Sequence, residues 1–259
     1  MASEIESRFE SIPDVLAGLT ALEARLYAAK DRRAVFASAY LTMTREIAAR
    51  VSGREFNDPD WVNAYTVAFA NLYRAAFHAF EVGSVLEVPS PWRTAFETAA
   101  AARGLIIQDM LLGMNAHINH DLSLALVEAS IDTSREAKRA DHFAVNEAIR
   151  HAVDAVQESI AARYGRVFGI VDNLLRRVDE DVAVFSIEKA RLNAWTSALS
   201  LADARDDSER QAVLESIADR SDVIAGLILL PTRRGSLVFR LRRIVERVSA
   251  PWQLITPGF

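Results

Sequence analysis

Apolar residues recur at three- and four-residue intervals along nearly the whole chain, and no segment alternates apolar and polar positions as a half-buried strand would. The pattern predicts a helix from Pro13, which suits a first helical turn, to about Lys30. It predicts a second helix from Asp31 to about Val51, stopping near Gly53. A third is started by Asn57-Asp58-Pro59 and ended at Gly83. Val88-Pro89-Ser90-Pro91 reads as a loop before a short helix that ends by Gly104. Longer helices follow over Leu105 to about Ser130 and roughly Thr133 to Tyr164, then a broken helical stretch to about Ala204. Two more helices are expected on either side of Leu230-Pro231, with a coil after Pro251. The expected fold class is therefore all-α. It is a single-domain multi-helix bundle over residues 1–259, with a core at about 12–231, a C-terminal basic helix at about 235–249 and a coil tail.

Within this bundle one helix is too polar for its setting. Around Gly113-Met114-Asn115-Ala116-His117-Ile118-Asn119-His120-Asp121-Leu122, much of the circumference is apolar, so the helix is expected to be buried and central. At the angular step of a regular α-helix, Asp109, Gly113, His117, His120 and Asp121 share one stripe, and Asn115 and Asn119 fall on the opposite side. Buried ionisable groups need partners, and Gly113 leaves room for another helix or a ligand. Two histidines at i and i+3 with a carboxylate at i+4 can converge on one divalent ion. Nitrogen and oxygen donors without thiolate suit zinc, manganese or iron. His117, His120 and Asp121 are thus candidate metal ligands, and with Asp109 candidate catalytic residues. Without a metal, one imidazole acts as general base, oriented by Asp109 or Asp121. A purely structural hydrogen-bond network is the competing reading.

Other helices supply candidate partners. In the helix after Thr133, His142 and Asn146 lie in the core direction with Ile149 and Val153, whereas Glu147 and His151 lie on the solvated side. Arg191 shares an apolar face with Ile187, Ala194 and Trp195 and needs an anion, because its charge cannot be shed. Asp109 or Asp121 is the favoured partner, and a ligand carboxylate or phosphate is the other. Trp195 is a candidate pocket wall. Tyr40 and Tyr73, on aromatic helix faces, each need a hydroxyl partner if buried.

Composition narrows the classes of function. Hydrophobic residues make up 51% and charged residues 25%, with 10 Gly and 7 Pro, which is the make-up of a globular helical chain. The absence of cysteine excludes thiolate metal sites and a cysteine nucleophile. A net charge of −5 gives no global basic field for nucleic acid. The arginines at 233, 234, 240, 242, 243 and 247 read as one solvated basic face, and Asp206-Asp207-Ser208-Glu209 as a turn and helix cap. The segment Met1 to Ile12 lacks the basic start and apolar core of a signal peptide, and no run reaches the roughly 18 apolar residues of a membrane span. A cytoplasmic protein with no membrane or nucleic-acid partner is expected, with self-association into a homo-oligomer left open.

The Gly113–Leu122 block, with His142-Phe143-Ala144-Val145-Asn146 and Ala190-Arg191-Leu192-Asn193-Ala194-Trp195, resembles a bacterial domain-of-unknown-function family, number 5995, from about Asp14 to Pro231. That resemblance implies an all-helical soluble bacterial protein and no particular activity. A weaker likeness is to the HD-type metal phosphohydrolases, whose His-Asp doublet is matched by His120-Asp121. The separate histidine of that pattern is not matched, since His117 is too near and His78 points elsewhere. The expected function is a small-molecule enzyme with a His/Asp site, of hydrolytic or lyase type, with a non-catalytic ligand-binding or interaction protein as the alternative. Its expected ligand is a small molecule, anionic where Arg191 meets it, with Asn146, His142, Trp195, Tyr40 and Tyr73 as further binding residues.

Overall fold

The computed structural model describes residues 5–131, 134–164 and 187–233, and these form helices with no strand among them. The elements are α1 (Ile12–Ala28), α2 (Ala34–Ser52), α3 (Pro59–Glu81), a 3-10 turn (Val85–Glu87), α4 (Ser90–Ala100) and α5 (Ile106–Asn115). A π-helical segment (Ala116–Asp121) leads straight into α6 (Leu122–Glu128), and α7 (Arg135–Tyr164), α8 (Ile187–Ala202) and α9 (Asp207–Arg233) complete the order. The multi-helix bundle read from periodicity is what forms. Two details differ. Pro91 sits in the first turn of α4, where its missing N–H goes unneeded, rather than in the loop. Helix α9 continues through Pro231 to Arg233. The expected basic helix at 235–249 and the coil tail lie outside the described residues.

Local chemistry explains the helix ends. The Ser11 hydroxyl accepts from the Asp14 N–H at 3.3 Å and starts α1. Asp58 caps α3 through the Trp61 N–H at 3.0 Å, with Pro59 at the first position. Asp206 caps α9 by accepting from the Glu209 N–H at 2.8 Å, which is the turn-and-cap role read for that acidic run. Gly83 follows α3 at φ +80°, a left-handed conformation that glycine adopts without a side-chain clash.

The rod formed by α5, the π-helical segment and α6 is the axis of the bundle. Helices α2, α3, α4, α8 and α9 all pack on it, and α7 closes over α2. Its apolar side chains join two cores. One is built around Leu22, Phe36, Tyr73, Phe77, Trp92 and Leu112, the other around Trp61, Tyr65, Leu122, Leu126, Val145 and Trp195. Gly113 makes room for a helix rather than a ligand. A Cβ there would lie 2.5 Å from Phe36 Cγ on α2.

Candidate functional site

The central rod is not a regular α-helix where its histidines lie. The wider π-helical turn takes in Ala116 to Asp121, so residues beyond its start no longer advance by the α-helical step. The expected single stripe is therefore split into three environments. Asp109, on regular α5, leaves the histidines altogether. Its Oδ2 accepts from Arg32 Nε at 2.5 Å, and Arg32 Nη2 also donates to the Gly104 carbonyl at 2.9 Å. Both residues are buried, at 3% and 4% exposure. Asp109 is thus one half of a buried ion pair with Arg32. Arg32, in a charged loop with no periodicity, gave no signal in the sequence.

Asp121 and His120 form the second environment. Asp121 Oδ1 lies 2.7 Å from His120 Nδ1, and Oδ2 accepts from the Trp92 indole N–H at 2.7 Å. Burial acts to raise the Asp121 carboxyl, but the adjoining His117 and His120 imidazoles outweigh it, and the group lies below the usual carboxylate range. Nothing in the periodicity singles out Trp92. Its indole N–H, fully buried, was the available clue that it needed an acceptor.

His117 is the third environment, an imidazole inside an aromatic box. Its ring lies flat on Phe69, with centroids 3.5 Å apart and planes at 7°, and meets Tyr40 edge-on at 4.3 Å. Phe36, Tyr73 and Trp92 complete the box at 5.6, 6.4 and 6.1 Å. Neither ring nitrogen has a hydrogen-bond partner, and neither do the buried hydroxyls of Tyr40 and Tyr73. Nδ1 is 3.9 Å from Asp121 Oδ2, near enough for charge to be felt but too long for a hydrogen bond. Burial holds the imidazole below its ordinary range, with Asp121 opposing, so His117 is neutral at pH 7. Burial pushes both tyrosine hydroxyls up, and they remain protonated.

The three expected metal ligands are not brought together in this geometry. His117, His120 and Asp121 do not converge: the Asp121 oxygens are taken by Trp92 and His120, and His117 stands apart in its box. Among the described residues no three His, Asp or Glu side chains are placed to hold an ion. The same arrangement leaves the His120-Asp121 doublet hydrogen-bonded to itself rather than presented as a pair of ligands.

Arg191 is also corrected. It pairs with neither Asp109 nor Asp121. Nε donates to Asn146 Oδ1 and Nη2 to the His142 carbonyl, both at 2.6 Å. His142 Nε2 lies 3.1 Å from the Arg191 carbonyl, which ties α7 to α8. Burial and then the Arg191 charge hold His142 well below its ordinary range, so this side chain is a neutral lock. Trp195 packs on His142 at 5.1 Å, inside the second core. Glu147 and His151 lie on the exposed side, 3.1 Å apart, as read from the wheel. Asn115 and Asn119 bond to each other at 3.0 Å, and Asn115 reaches the Ser221 carbonyl at 2.8 Å.

A cavity of about 180 Å³ opens between α2, α3, the central rod, α7 and α8. Its wall is apolar except at a few points: Tyr40, Thr44, Tyr65, Thr66, His117 and Arg191. Tyr73, Asn146, His142 and Trp195 are not in this wall, so of the expected binding residues Tyr40 and Arg191 reach it. Met43, Met110 and Met114, every methionine beyond Met1, line it. Unbranched thioether side chains adapt to irregular ligands, and their grouping was a signal that periodicity alone did not single out. Among the described residues no helix is long and apolar enough to cross a membrane.

Comparison with known proteins adds a family and no activity. No curated protein and no solved structure matched the chain. The profile of one family of unknown function matches residues 12–231, which takes in every element from α1 to Pro231 in α9, and the chain belongs to that family, DUF5995.

Proposed function

We propose that the protein binds a small, mainly apolar molecule in the cavity beside the central rod, with the neutral imidazole of His117 as a hydrogen-bonding contact. The observation that carries this reading is an apolar cavity of about 180 Å³ with the His117 ring in its wall, the two ring nitrogens being buried behind that wall and without a partner in the protein. A buried polar atom left without a partner costs about 1–3 kcal/mol, and a ligand that supplies the partner recovers it on binding. The volume slightly exceeds the roughly 150 Å³ of an apolar cavity that admits benzene, so a ring or short chain fits.

A catalytic version is favoured by one further observation, the Asp121 carboxylate 3.9 Å from His117 Nδ1. An anion on that side favours the tautomer with hydrogen on Nδ1 and leaves Nε2 as the base. His117 then takes a proton from the bound molecule, and Asp121, held by Trp92 and His120, steadies the imidazolium. In this version Asp121→Asn lowers turnover and leaves affinity unchanged.

Titration calorimetry and thermal unfolding with 1-octanol and indole test the binding reading. The expected result is saturable one-to-one binding that raises Tm, lost in Ala39→Leu, which fills the cavity wall from α2 while leaving the fold intact. Absence of saturable binding by either probe, or undiminished binding in Ala39→Leu, overturns it.

A further inference from the structure

Two arginines are buried among the described residues, Arg32 at 4% and Arg191 at 3% exposure. Their surroundings differ in kind. Arg32 is neutralised by the Asp109 carboxylate. Arg191 has only neutral acceptors, the Asn146 side-chain oxygen and the His142 carbonyl, and no carboxylate of the described residues pairs with it. A guanidinium cannot shed its proton, and a buried charge is ordinarily matched by an opposite one. Among the described residues of the cavity wall, Arg191 is also the one with a fixed charge. Its protein contacts use Nε, to Asn146, and Nη2, to the His142 carbonyl and, at 3.4 Å, to His142 Nδ1, so Nη1 is the nitrogen left for a ligand. The Tyr65 hydroxyl, in the same wall, feels the Arg191 charge, which opposes the effect of burial on that group.

We propose that the cavity takes an apolar monocarboxylate, with its hydrocarbon body among the methionines and aromatic rings and its carboxylate on Arg191. This inference rests on the binding reading above and names the ligand class. A single negative charge fits best because the described wall residues offer no second cation: a phosphate dianion would bring a further charge into an apolar chamber with none of them to balance it. The volume suits a body of about six to ten carbon atoms, somewhat larger than the benzene held by a cavity of similar size. Asn146 and the His142 carbonyl hold the guanidinium rigid in the wall, so little ordering is left to be done on binding.

Octanoate, 1-octanol and octyl phosphate, titrated into the full-length protein at neutral pH by calorimetry, give the test. Octanoate is expected to bind roughly 10- to 100-fold tighter than the alcohol, the range of one charge-assisted hydrogen bond. Octyl phosphate is expected to bind more weakly than octanoate. In Arg191→Met the preference for acid over alcohol is expected to vanish while the alcohol still binds. Equal affinity for acid and alcohol in the unaltered protein, tighter binding of the phosphate, or a preference that survives Arg191→Met overturns the carboxylate proposal and leaves the binding reading standing. Failure of all three probes overturns the binding reading itself. If Arg191→Met does not fold, the comparison of the three probes on the unaltered protein decides the matter alone.

Discussion

The imidazole of His117 lies on the ring of Phe69 with their centroids 3.5 Å apart and their planes within 7° of parallel. A polar ring has been placed where a phenyl ring would pack equally well, and its nitrogens have no partner in the protein. Stability alone does not account for such a choice. Buried polar atoms are ordinarily satisfied, and each exception calls for an explanation, which a ligand supplies here.

His117→Phe therefore separates function from stability. The aromatic box is kept and two unpartnered nitrogens are removed, so the variant is expected to be as stable as the original protein or more stable by about 1–3 kcal/mol. Equilibrium urea unfolding checks this. Binding of 1-octanol is expected to weaken in the same variant. A marked loss of stability would show that the imidazole has a structural partner.

The pH dependence follows from two depressed histidines. Burial, with Asp121 opposing, holds His117 low, and burial with the Arg191 charge holds His142 well below its ordinary range. In the unfolded chain both take up a proton near pH 6.5, and in the folded chain they do so at lower pH. The unfolded state then binds more protons through this window, so stability is complete above about pH 7 and falls as the pH drops below about 6.5. The expected slope is at most about 1.4 kcal/mol per pH unit for each histidine. Urea unfolding from pH 8 to pH 5 measures it, and His117→Phe is expected to reduce it. Stability that rises on acidification over this range would contradict the assignment.

Asp109 and Arg32 are expected to behave as a structural pair. Asp109→Asn leaves the Arg32 guanidinium buried with its counter-charge gone and is expected to cost about 3–5 kcal/mol. The double replacement Arg32→Met with Asp109→Leu removes both charges and is expected to recover most of that loss. Denaturant midpoints check the stabilities. Folded protein of either variant is expected to keep its affinity for 1-octanol, which a catalytic or binding Asp109 would not allow.

A contact between helices gives a fourth test. Gly113→Ala drives a methyl group against Phe36, where the nearest ring carbon is 2.5 Å from the new Cβ. Overpacking of this kind costs about 1–3 kcal/mol. The pairing of Gly113→Ala with Phe36→Ala removes the ring carbons at 2.5 and 2.6 Å, leaves only the Cβ contact at 2.8 Å, and is expected to relieve most of the clash. Additive losses in the double variant would show that the clash is absorbed elsewhere.

Helices, caps and buried faces follow from local rules, and the chain displays those rules openly. The three-to-four-residue spacing of apolar positions, Ser11 and Asp58 before their helices, and Gly83 after α3 were enough to place the elements. The same spacing showed that the rod around His117 is buried and polar, and that His142 and Asn146 face inward while Glu147 and His151 face out. Partner choice is a different matter, because it depends on residues far apart in the chain. Arg32 meets Asp109 across 77 positions, and Asp141 accepts from the backbone N–H groups of Asn57 and Asp58 across 84 and 83. The π-helical turn changes the angular step among His117, His120 and Asp121, while Asp109 lies about two turns earlier on regular α5, where Arg32 claims it, so the single stripe became three settings. The cavity is a property of packing alone. It exists because side chains from α2, α3, the rod, α7 and α8 meet without filling the space between them, and no local pattern records an empty volume.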